Sequence, residues 1–84
     1  MAPGSEASLD VQVFGREVRN LRTAQGWSQE RLAEVADLNR TYVGEIERGS
    51  AIPSIHSASK LANALGVRLS ALLQRCESTC RREA

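Results

Sequence analysis

The sequence predicts an all-α protein: five short helices packed as one domain. Three observations carry that expectation. Apolar residues make up 42% of the 84-residue chain but aromatics only 4%, so the core must be aliphatic and alanine-rich, which suits close-packed helices better than a sheet. Apolar residues recur at three- and four-residue spacing in successive stretches. Cap residues and glycines punctuate those stretches. Asp10, Ser28, Asn39 and Ser54 stand where helices should begin, and Gly26, Gly49 and Gly66 where they should end. A chain of this length supports one small core and not two.

Taken in order, residues 1–8 (MAPGSEAS) read as a flexible arm, small and polar with a proline and a glycine. The arm has no Arg or Lys to reach into a nucleic acid. The domain proper should span 9–77, with 78–84 a tail or an extension of the last helix. The first helix is expected from about 10 to 25, with Val11, Phe14, Val18 and Leu21 as its buried stripe and Asp10 as its cap. Gly26 ends it in a left-handed conformation and Trp27 folds back beside it. Arg22 borders the stripe. Ser28 caps the second helix and Gln29 opens it. Leu32 and Ala36 face inward one turn apart, and Ala33 is small where another helix must cross closely. The third helix follows Asn39 and buries Val43 and Ile46. Its remaining residues Arg40, Thr41, Gly44, Glu45 and Arg48 share one side of a 3.6-residue helix. Residues 50–54 form a loop containing Pro53. The fourth helix, 55–65, has the stripe Ile55, Ala58, Leu61, Ala62 and Leu65, closed by Gly66 and Val67. The fifth begins near Leu69 or Ser70 and carries Leu69, Leu72, Leu73, Cys76 and, if it continues, Cys80 on one stripe.

The stretch from 29 to 48, QERLAEVADLNRTYVGEIER, organises the rest. It resembles the helix-turn-helix of the phage repressor/Cro (XRE) family, and the likeness runs from about Phe14 to Leu73. Ala33 fills the motif's small position, and Val43 and Ile46 fill its later apolar positions. The family has glycine where this chain has Asp37. That turn needs a left-handed backbone, which Asp tolerates better than most residues. The resemblance implies a lambda-repressor-like DNA-binding domain with the helix-turn-helix as helices 2 and 3. It also implies backbone contacts to DNA from Ser28 and Gln29, and from Arg48, Gly49 and Ser50 where the next loop lies along phosphates. Asn39 is placed with those phosphate contacts. Arg22 and Glu47 match a partly buried ion pair in the family; removing one partner of such a pair costs about 3–5 kcal/mol. Part of the fifth helix's stripe can complete the core, and the rest would be exposed in a monomer. Small family members commonly dimerise through the last helix, so the resemblance implies a dimer interface at Leu69, Leu72, Leu73 and Cys76. LNRTYVGEIERG, followed by PS and a helix ending ALGV, is similar to controller proteins of restriction–modification systems.

The residue types agree with a major-groove reader. Arg40 at the exposed start of helix 3 can fork onto guanine, and Thr41 can touch a base or a thymine methyl. Tyr42 either reaches the DNA or packs at the domain edge. Glu45 either accepts from cytosine N4 or holds Arg40 or Arg48 in place. The partner expected is double-stranded DNA with a palindromic operator, bound by a homodimer on half-sites about 34 Å apart.

Charge argues the other way. The net charge is +1, and residues 28–49 hold three arginines against five acids, whereas nucleic-acid binders are usually more basic. The alternative is a protein-interaction module of the same fold, such as an antitoxin or a transcriptional cofactor. Ten of the eleven basic residues are arginine, the better fork for guanines and phosphates. An enzyme is not expected: there is one histidine, no glycine-rich phosphate loop and no pocket-sized core. Cys76, Cys80 and the single His56 fall short of a zinc site, and no cofactor, metal or small-molecule ligand is expected. No apolar run reaches membrane-spanning length and no secretory signal is visible, so the expected location is cytoplasmic, with no membrane contact.

Overall fold

The computed structural model describes residues 9–81, and their side chains as far as 77. The arm 1–8, the last three residues and the Cys80 side chain lie outside the described residues. Five helices follow one another: α1 (Val11–Ala24), α2 (Gln29–Ala36), α3 (Arg40–Arg48), α4 (Ile55–Leu65) and α5 (Leu69–Arg81). No strand occurs among the described residues. None of their helices is long and apolar enough to cross a membrane.

Local chemistry sets the boundaries. Asp10, Ser28, Asn39 and Ser54 each sit in extended conformation and accept a hydrogen bond from an N–H of the first turn that follows. The helix ends close in left-handed residues: Gly26 after α1, Asp37 after α2, Gly49 after α3 and Gly66 after α4. At each, a following N–H reaches back to a carbonyl of the last turn, as Trp27 does to Arg22 at 3.2 Å and Leu38 to Ala33 at 2.9 Å. Asp37, at φ 58°, is the only non-glycine with positive φ among the described residues. Lys60 of α4 donates to the Asp37 carbonyl at 3.2 Å and steadies that turn.

The core is aliphatic. Val18, Leu32, Val43, Ile46, Leu61 and Leu72 are fully buried, each worth about 1.5–3 kcal/mol of burial free energy. Phe14, Ala33, Ala36, Ala58, Ala62 and Leu65 complete it. Val13 joins the buried set, while Val11 at the edge is only half-buried. α1 packs on α3 and α5, and α2 on α3 and α4. At the α1–α3 crossing stands Gly15, which is buried. A Cβ there would overlap the Ile46 carbonyl oxygen and come within 2.8 Å of that of Glu47. The two backbones therefore touch directly.

Two expectations about the apolar stripes are corrected. Leu72 and Cys76, expected at a dimer interface, are buried inside the monomer at 1% and 0% exposure. α5 lies against α1 and α4, so the pair one turn apart points into the protein's own core. Leu69 and Leu73, one step around the helix, stay half-buried at its border. Ile55, expected to be buried, is 80% exposed. It opens α4 on the rim of an apolar cleft that Phe14, Ala58 and Leu73 also line.

Candidate nucleic-acid interface

The candidate surface is built from the first turn of α2 and the outer side of α3. Ser28 Oγ accepts from the Arg31 N–H at 3.0 Å, which fixes the start of α2. Asn39 Oδ1 accepts from the Thr41 N–H at 2.7 Å and fixes the start of α3. First-turn N–H groups have no carbonyl within their own helix to bind, and the helix dipole there favours an anion. Both helices of the motif thus offer a positive end, although the segment's formal charge is negative.

On α3, Arg40, Thr41 and Arg48 are exposed. Tyr42 is half-buried and packs against the core. Glu45 is half-exposed, and among the described residues it makes no ion pair with Arg40 or Arg48. Gly44, placed by periodicity on the open side, is buried. Gln29 and Arg48 cover it: a Cβ at Gly44 would stand 3.5 Å from Gln29 Oε1 and 3.2 Å from Arg48 Nη1.

The end of α3 differs from expectation. The Gly49 N–H donates to the Ile46 carbonyl at 3.0 Å. Both donors of Ser50 go to the Glu45 carbonyl, the N–H at 2.9 Å and Oγ at 3.2 Å. The phosphate role expected of Gly49 and Ser50 needed free donors, and helix closure has already engaged them. Arg48 is what this corner leaves exposed.

Beneath the surface lies the ion pair of Arg22 and Glu47. Arg22 Nε stands 2.7 Å from Glu47 Oε2, and Nη2 stands 3.0 Å from Oε1. Arg22 Nη1 also donates to the Trp27 carbonyl at 2.8 Å. The side chains are 11% and 2% exposed. The hydrogen bonds to Glu47, with its charge, hold the Arg22 pKa above the ordinary value against the opposing effect of burial. Gln29 Nε2 donates to the same carboxylate at 3.0 Å. Sequence reasoning missed the roles of Gly15 and Gly44. A glycine inside a helix costs about 1 kcal/mol relative to Ala, and that cost was the available signal that each has a packing reason to be there.

No group of three or more metal-ligating side chains is assembled among the described residues.

A helix-turn-helix family model matches residues 18–72. The chain belongs to the XRE-type helix-turn-helix family. Among its relatives, the control protein C.BamHI of Bacillus amyloliquefaciens is 44% identical over 73% of this chain and 76% of its own length. The control protein C.SmaI of Serratia marcescens is 36% identical over 80% and 81%. The crystal structure of the restriction-modification controller protein C.AhdI from Aeromonas hydrophila superposes with a TM-score of 0.73 at 46% identity, covering 75% of this chain and 96% of that one. This XRE-type chain is accordingly a helix-turn-helix transcription regulator, and its relatives are regulators and not enzymes.

Proposed function

We propose that this regulator binds operator DNA as a homodimer, one helix-turn-helix per half-site, and acts as a controller of a restriction–modification system. The observation that carries the reading is the exposed face of α3. Arg40 and Thr41 stand at its capped, positive end, and Arg48 stands two turns further along beside the first residue of α2. Arg40 forks onto guanine, Thr41 contacts a neighbouring base, and Glu45, held by no arginine, accepts from cytosine N4. Ser28, Asn39 and Arg48 face phosphates together with the first turn of α2. The names of C.BamHI, C.SmaI and C.AhdI support the controller role.

The proposed dimer surface keeps Leu69 and Leu73 of the four expected residues and gains Ile52 and Ile55. Leu72 and Cys76 are withdrawn into the core. Leu69 and Leu73 border an apolar cleft of about 210 Å³ that is also lined by Ile52 and Ile55, with Cys76 at its floor. Those two isoleucines are 78% and 80% exposed. A second copy covering this cleft would bury them.

The test is enrichment of bound sequences from a random DNA pool, followed by titration of the recovered site. A two-fold symmetric site is expected, with a log–log salt slope of about −5 to −7 for roughly 6–8 phosphates. Arg40→Ala should lose about 1–3 kcal/mol of discrimination at one base pair per half-site. A slope near zero would sink the reading.

A further inference from the structure

The Glu47 carboxylate cannot touch DNA itself, being 2% exposed. It nevertheless accepts three N–H groups: two from Arg22 in α1, at 2.7 and 3.0 Å, and one from Gln29 in α2, at 3.0 Å. Arg22 extends the chain of bonds to the Trp27 carbonyl at 2.8 Å. Trp27 and Gln29 are the residues on either side of Ser28, the cap of α2. The first turn of α2 is thus gripped on both sides by one buried ion pair. The Gln29 amide lies over Gly44 beside Arg48, where a Cβ would meet Gln29 Oε1 at ordinary contact distance, 3.5 Å. A carboxylate only accepts hydrogen bonds. It therefore fixes which way the Gln29 amide points, with Nε2 inward to Glu47 and Oε1 over Gly44.

We infer that Glu47 is a positioning residue for DNA binding: acting through Gln29, it holds the phosphate-facing start of α2 in register with Arg48 and the reading face of α3. The inference rests on the DNA-binding reading above. It reassigns Gln29 from a free phosphate ligand to the link between a buried anion and the exposed end of its helix. A pair that served stability alone would need only Arg22, and the third bond would be incidental.

The test uses the full chain and two readouts. In the free protein, nuclear magnetic resonance should show the Gln29 side-chain amide exchanging with solvent about tenfold more slowly than that of exposed Gln74, and Glu47→Gln should abolish the difference. On the enriched operator, Gln29→Ala and Glu47→Gln should each weaken binding about tenfold, and the double variant should bind no worse than either single one. If Glu47→Gln does not fold, Arg22→Leu with Glu47→Leu takes its place, because an apolar pair can replace a buried ion pair without loss of stability. Additive losses overturn the inference, as do unchanged affinities or a Gln29 amide that exchanges as fast as that of Gln74. Those results leave the DNA-binding reading standing. Absence of salt-dependent DNA binding by the unaltered chain would remove both.

Discussion

The α1–α3 crossing and the α4–α5 edge treat contact surface in opposite ways. At the crossing, Gly15 lets two backbones meet with no side chain between them, and Glu47 beside it accepts three N–H groups from two residues. At the edge, Ile52 and Ile55 are held out beside an open apolar cleft. One region has no freedom left and the other is unfinished. The proposed reading surface needs its groups in fixed geometry and draws it from the closed region. The proposed association surface has to be completed by something else, and the exposed isoleucines of the open region allow that.

The contrast can be broken by substitution. Leu72→Ala should have the largest effect. A fully buried side chain is truncated, and about 2–5 kcal/mol of stability should be lost in denaturant titration, independent of protein concentration. A loss that disappears at high concentration would return Leu72 to an interface. Gly15→Ala comes next. One methyl group must push α1 from α3, at a cost of about 1–3 kcal/mol, and DNA affinity should fall even where the protein stays folded. Unchanged stability would mean that the crossing is not tight. The paired variant Ile52→Ser and Ile55→Ser should move stability least, by about 0.5 kcal/mol or less per exposed site. Sedimentation should nevertheless show a smaller particle than for the unaltered chain. Equal masses would place the dimer surface elsewhere.

Much of the fold was legible because helix ends are local. The four caps follow from residue type and position, the left-handed Asp37 follows from the glycine position it fills in the family motif, and each is where it was expected. Burial is not local. Periodicity gives a helix its apolar stripe but not the length over which a neighbour covers it, so Ile55 was expected inside and is outside. The same gap misplaced Leu72 and Cys76, because the stripe of α5 faces its own core before it can face a partner. Gly15 left a mark in the sequence, but the mark shows only that something comes close and not which helix does. At the candidate site, helical spacing put Arg40, Thr41 and Arg48 on the exposed side. The engagement of Gly49 and Ser50 with carbonyls of α3 is the ordinary closure of a helix at glycine.

The shortness of α3 has a consequence of its own. Capped by Asn39 and closed by Gly49, it has nine residues, a rod of roughly 13–14 Å at 1.5 Å per residue. Base pairs stack about 3.4 Å apart, so one such rod spans roughly four of them. Four positions distinguish about 250 sequences, against roughly a million or more competing sites in a genome. An address that short repeats thousands of times; in the proposed homodimer a second half-site at a fixed separation raises the number of distinguishable sequences to about 65,000.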